Sequence, residues 1–171
     1  MNESVQLLDA PDTVVARKFN HTFALMHAKK DGAGSQVQWN TRKPSSERSG
    51  VVFVSIVPQK PGTNIGDSSL FDYPNKVTMG LSSVGVAQII EVLRGYVKEV
   101  TNGYGNNTKP GMIHNYKGAV KTLFFSSAEN GVWFLSISAS GKNYKFTVNS
   151  AEALLLENYL TRALAVLEPT E

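Results

Sequence analysis

Cysteine is absent from this 171-residue chain. That excludes a disulfide scaffold, a thiolate metal site, a cysteine nucleophile and an iron–sulfur cluster. Charge is sparse: 18% of residues are charged and the net charge is +3. With 42% hydrophobic residues, such a chain has no reason to stay unfolded, and its length suits one domain with a sizeable core. Long apolar runs are also missing. Polar residues break every strand- or helix-like segment well short of the ~20 residues a membrane span needs, so no membrane partner is expected. Met1 to Asp12 has neither the basic start nor the apolar core of a secretory signal. The expectation is a soluble intracellular protein of the cytoplasm, nucleoid or organelle matrix, or of the host cell for a viral chain.

Catalytic motifs are lacking too. No GxSxG, P-loop or HExxH occurs. The histidines are His21, His27 and His114. The first two share a strand face but lie about 20 Å apart at 3.3 Å per residue, too far for one metal ion. Asp67 and Asp72 fall in a loop without a partner base. The chain therefore reads as a non-enzyme with no catalytic residue, metal or cofactor.

What the chain does have is unevenly placed positive charge. Between Val14 and Arg48 stand seven basic and two acidic residues, and between Lys109 and Asn149 five basic and one acidic. These are the strand-like regions, whereas the acidic residues gather in helix-like segments and at the termini. Solvation of sheet faces would account for some of this. A cationic sheet that meets phosphates accounts for it more fully.

Residues 1–13 lack periodicity and are expected to form a flexible N-terminal arm. From Val14 to Lys30, Phe19, Phe23 and Leu25 alternate with polar residues as in a half-buried strand. Asp31-Gly-Ala-Gly predicts a hairpin, with a return strand from Gln36 to Arg42. Val51 to Val57 is a continuous apolar run, expected to be a strand covered on both faces. Residues 58–74 form a long loop, and Lys76 to Leu81 alternates again. Val86, Ile89, Ile90, Leu93 and Val97 then define a helix face, with Ser83 as its N-cap and Gly95 weakening its end. Residues 101–111 read as a loop.

Met112 to Ser127 reads as one long strand with a bend or bulge at Gly118. Gly131 to Ala139 alternates Trp133, Leu135 and Ile137 against Phe134, Ser136 and Ser138. After a Ser140-Gly141 turn, Lys142 to Val148 alternates Tyr144, Phe146 and Val148 against Asn143, Lys145 and Thr147. Asn149 and Glu152 form a capping box for a last helix with an apolar stripe of Leu156, Leu160, Ala163, Leu164 and Leu167. The order is four strands, a helix, three or four strands and a helix, so the expected fold class is α+β: two antiparallel meanders, each followed by a helix (ββββα-ββββα). Residues 14–168 are expected to be one nucleic-acid-binding domain.

The passage Asn75-Lys-Val-Thr-Met-Gly-Leu-Ser-Ser-Val-Gly-Val-Ala-Gln-Ile-Ile resembles the strand-to-helix step of the plant Whirly proteins. So does the succession Lys117-Gly-Ala-Val-Lys-Thr-Leu-Phe-Phe, Gly131-Val-Trp-Phe-Leu-Ser-Ile-Ser, Tyr144-Lys-Phe-Thr-Val and the leucine-rich helix. This half is also similar to the coactivator called positive cofactor 4. The likeness covers roughly residues 70–167 and lies in element order and strand chemistry. The lysine-glycine-lysine motif that Whirly proteins carry near their first strand is missing. The resemblance implies a Whirly-like fold, curved sheets that bind single-stranded nucleic acid, and helices that mediate oligomerisation.

Binding of single strands needs cations for phosphates and aromatic faces for bases. Lys76 and Thr78 lie opposite Val77 and Met79. Lys117 and Lys121 share a face if their strand is regular. Lys142, Tyr144 and Lys145 alternate cationic and aromatic groups, and Trp39 stands close to Arg42 and Lys43. Trp133 is a further stacking candidate, and Tyr144 shares its strand face with Phe146 and Val148, which favours the core for it. The expected function is single-stranded DNA binding with little sequence preference, in replication, recombination or transcription. The chain is expected to form a homodimer or higher oligomer through its C-terminal helix. Two rival readings are an RNA-binding protein of the same architecture and a viral or structural assembly protein that binds no nucleic acid.

Overall fold

The computed structural model describes residues 21–30, 32–103 and 107–167. The expected N-terminal arm lies outside them, as does the start of the first expected strand. The strands β1 (Thr22–His27), β2 (Ser35–Arg42), β3 (Val51–Pro58) and β4 (Val77–Leu81) form one antiparallel sheet in chain order. Helix α1 (Ser83–Leu93) follows. A two-stranded ribbon, β5 (Thr101–Asn102) and β6 (Lys109–Pro110), occupies part of the segment read as a loop. Then β7 (Met112–Tyr116), β8 (Ala119–Ala128), β9 (Val132–Ala139) and β10 (Lys142–Asn149) build a second antiparallel sheet, again in chain order. Helix α2 (Ser150–Leu167) closes the described chain. The expected ββββα-ββββα order is therefore present.

Each sheet turns one face inward, as period-two patterning demands. Val37 and Trp39 of β2, Val52, Val54 and Ile56 of β3, and Val77, Met79 and Leu81 of β4 are buried. Leu123, Phe125, Leu135, Ile137, Phe146 and Val148 are their counterparts in the second sheet. Both rows meet Val86, Ile89 and Ile90 of α1 and Leu156 and Leu160 of α2 in one continuous core. Each such side chain contributes roughly 1.5–3 kcal/mol on burial. The Tyr159 hydroxyl stands 2.8 Å from Thr41 Oγ1 and 2.9 Å from the His21 carbonyl, tying α2 to the first sheet. Burial pushes its phenol above the ordinary value, against the lowering effect of the Thr41 bond.

The helix ends follow local chemistry. Ser82, not Ser83, caps α1: its hydroxyl accepts from the Gly85 N–H at 3.4 Å. At the other end, the Gly95 N–H donates to the Val92 carbonyl and the Tyr96 N–H to Glu91, with Gly95 at φ 75°. This glycine-dependent stop ends the helix at Leu93, so Val97 falls beyond it and is exposed. The capping box of α2 forms as expected: the Glu152 N–H donates to Asn149 Oδ1 and the Asn149 N–H to Glu152 Oε2, both at 3.0 Å.

Two strand expectations need correction. Met112 to Ser127 is not one bent strand but a hairpin. Tyr116 pairs with Ala119, and Lys117 and Gly118 adopt φ 51° and 79° between them. Positive φ at both central residues defines the tight turn that suits strand twist. Lys117 and Lys121 therefore do not share a strand face: one is in the turn, the other in β8. Nor is β3 covered on both faces throughout. Ser55 and Val57 are buried, but Val51 and Phe53 are half-exposed on the outer side.

Candidate nucleic-acid interface

A groove of about 910 Å³ runs between the outer side of β3–β4 and the β7–β8 hairpin. Its size is at the upper end for ligand clefts. Phe53 supplies one wall. It pairs across the strands with Gly80, and a Cβ placed on Gly80 would lie 3.5 Å from Phe53 Cε1 and 3.2 Å from Val51 Cγ1. The Phe53 ring thus lies beside Gly80 of β4, where an added Cβ would be tight only against Val51. Arg42, the last residue of β2, places its guanidinium carbon 5.2 Å from the Phe53 ring centroid, within cation–π range.

The hairpin supplies the other wall. Tyr116 is exposed, with the His114 ring 6.5 Å away at 22° and Lys117 Nζ 5.4 Å from its own centroid. Lys121 Nζ crosses the groove and donates to the Thr78 carbonyl at 2.7 Å. Thr78 Oγ1 in turn lies 2.7 Å from Ser55 Oγ. Lys121 thereby joins the two sheets and keeps two of its three donors for an anion. Among the described residues that line the groove, Arg42, Lys121 and His114 are basic and none is Asp or Glu. A cleft lined by one sign of charge with low-dielectric walls concentrates field on an incoming anion.

The residues named from sequence divide into four groups. Arg42, Thr78 and Lys121 meet in this groove, and Lys117 stands over Tyr116 at the hairpin tip. Lys43 and Lys76 are exposed, just past the end of β2 and just before β4. Lys142 and Lys145 are exposed on β10, at the opposite edge of the second sheet from β7. The aromatics named from sequence lie elsewhere. Trp39 is 0% exposed, on the inner face of β2, so it cannot present a ring to a ligand. Trp133 and Tyr144 are on inner faces against the core, and the Trp133 Nε1–H points to the Val92 carbonyl at 3.4 Å.

Sequence reasoning missed Phe53, His114 and Tyr116. Phe53 sits inside an apolar run in which both faces look alike, so alternation gives no signal. Its partner Gly80 is 27 positions away and is identified only by strand pairing.

No protein-family model matches the chain, and no curated protein matches it in sequence. Solved structures do match in shape. WHY3 from Arabidopsis thaliana aligns at a TM-score of 0.62 with 12% identity, over 89% of this chain and 90% of that one. The plant transcriptional regulator PBF-2 aligns at 0.59 with 15% identity, over 85% and 81%. A guide-RNA-binding protein complex bound to a guide RNA aligns at 0.56 with 18% identity, over 90% and 94%. With two four-stranded antiparallel sheets, each followed by a helix around a shared core, this chain has the fold of the plant Whirly proteins.

Proposed function

We propose that this protein binds single-stranded DNA with little sequence preference, and that it serves replication, recombination or transcription as a binding protein without a catalytic step. The observation that carries this reading is the acid-free groove where Arg42 and Lys121 flank Phe53 and Tyr116. Cations neutralise phosphates, and aromatic faces accept unstacked bases of any identity. Lys43, Lys76 and Lys117 extend the cationic track beyond the groove. Residues 14–168 act as one binding domain.

The test is fluorescence anisotropy of a labelled ~30-nucleotide oligo-dT at two salt concentrations. Duplex and single-stranded RNA of equal length serve as competitors. Tight, salt-sensitive binding that duplex competes poorly is the expected result. Absence of binding at low salt defeats the proposal and favours an assembly protein. Lys117→Ala is expected to weaken binding evenly across sequences and to lower the salt slope by about one ion or less. The likeness to a structure described as a guide-RNA-binding complex gives the RNA reading a specific basis. RNA competing better than DNA would establish it, because only contacts to the 2′-hydroxyl separate the two.

A homo-oligomer is part of the same proposal. On α2, Leu154 and Leu155 are 69% and 57% exposed, away from the buried stripe. Light scattering is expected to give at least a dimer at micromolar concentration. Leu154→Lys with Leu155→Lys is expected to yield monomers with nearly unchanged unfolding midpoints, since neither side chain contributes to the monomer core. A monomeric wild type counts against this part.

A further inference from the structure

Asparagine followed directly by glycine occurs twice in the chain, at Asn102-Gly103 and at Asn130-Gly131. The first of these steps borders the groove: Thr101, Asn102 and Gly103 all line it. Asn102 is the last residue of the two-residue strand β5 and is exposed. Its side-chain amide is therefore open to water, and the peptide that follows it lies past the end of the ladder.

The glycine is required where it stands. Gly103 has φ 99°, and a Cβ there would come within 2.6 Å of the Asn107 carbonyl oxygen. No larger residue fits, so the ribbon keeps an unhindered peptide nitrogen next to the Asn102 amide. The base of the ribbon is anchored. The Thr101 N–H donates to Gln88 Oε1 of α1 at 3.2 Å, and the Gly111 N–H to the carbonyl of buried Val100 at 2.9 Å. A group created at position 102 thus stays at the groove wall. Lys109, also exposed, is the cross-strand partner of Asn102.

We infer that Asn102 is a site of spontaneous deamidation, and that its conversion permanently weakens the groove for anions. The consequence for binding rests on the nucleic-acid reading above; the modification itself does not. The Gly103 backbone nitrogen attacks Cγ of Asn102. The new N–Cγ bond forms as the Cγ–Nδ2 bond breaks, and ammonia leaves with the proton that the backbone nitrogen gives up. Water then opens the cyclic imide at either carbonyl, leaving an aspartyl or an isoaspartyl residue. Nothing is oxidised or reduced. Either product sets a carboxylate among described lining residues that include no Asp or Glu. That charge opposes an incoming phosphate and also engages Lys109 across the ribbon. Asn130-Gly131 offers the same chemistry in the turn between β8 and β9, with Asn130 at φ 66°. It is not part of the groove lining, and so serves as an internal control.

The experiment holds the purified protein warm at mildly alkaline pH over a time course of days. Peptide mapping by mass spectrometry follows the amide-to-acid mass change at each asparagine. Anisotropy with the labelled oligo-dT gives Kd at each time point. Fresh Asn102→Asp, Asn102→Gln and Asn130→Asp proteins are measured beside the wild type. Conversion at Asn102 is expected to track a rise in Kd. Asn102→Asp should raise Kd roughly threefold or more at low salt and less as salt is added. Asn102→Gln, whose longer side chain cyclises far more slowly, should keep its own starting Kd through the incubation. Asn130→Asp should bind like the wild type. Asn102 left intact while Asn130 converts overturns the site. Conversion at Asn102 with an unchanged Kd overturns its effect on the groove. No binding by the fresh wild type at low salt overturns the nucleic-acid reading and that effect together, and the peptide map then decides the modification alone.

Discussion

Trp39→Ala is expected to destabilise the fold by about 3–5 kcal/mol, the range for removing a fully enclosed tryptophan. Trp39 has no exposed surface and pairs across the sheet with Phe23 on one side and Val54 on the other. Its carbonyl also lies 3.2 Å from the Tyr159 hydroxyl, so the residue stands where β2 meets α2. Small domains have total stabilities of about 5–15 kcal/mol. Loss on this scale therefore leaves a marginal protein. Equilibrium denaturation in urea measures it. A shift below about 1 kcal/mol, with oligonucleotide affinity lost, would show that the ring serves a ligand and that its burial has been misassigned.

Phe53→Ala is expected to act in the opposite sense, on binding rather than on folding. Phe53 faces the groove and not the core, so its removal leaves the inward row of Val52, Val54 and Ile56 intact. A base stacked on the ring contributes about 1–3 kcal/mol, so Kd should rise ~5–150-fold. Gly80→Ala supplies a companion measurement. Its new Cβ would be tight only against Val51 Cγ1, at 3.2 Å, and would meet the Phe53 ring at an ordinary 3.5 Å, so the ring keeps its place and affinity should stay close to wild type. Anisotropy titrations check both. Unchanged affinity in Phe53→Ala, with a folded protein by circular dichroism, would remove Phe53 from the interface.

These two aromatics show where sequence reading succeeds and where it stops. Trp39 and Phe53 look equivalent along the chain: each lies in a strand and each has basic residues within reach. Alternation says that Trp39 faces opposite to Gln38 and Asn40, but not which of those faces will be covered. The second sheet and α2 cover the Trp39 side, through contacts more than a hundred residues away in sequence. Lys121 poses the same problem. From sequence it is a free lysine on a strand; in the fold its ammonium holds the Thr78 carbonyl across the groove. Its role as a joint between sheets depends on the approach of β4 to β8, which no local pattern encodes.

Local and periodic properties were legible in the chain itself. Period-two and helical patterns identify six of the eight sheet strands and both helices, and run β7 and β8 together as one. Asn149 and Glu152 specify the start of α2, and Gly95 limits α1, because caps and glycine stops act over three to six residues. The cationic character of the sheets follows from where the basic residues fall along the chain. Tertiary structure decided the rest. It resolved the Lys117-Gly118 step into a turn, which removed the shared face of Lys117 and Lys121. It enclosed Trp39, set Phe53 beside Gly80, and left Phe124 and Phe134 on an open face. The physical reason is common to all of these. A strand's own residues determine that its side chains alternate, whereas pairing partners and packed layers, distant in sequence, determine which side meets the core and which meets a ligand.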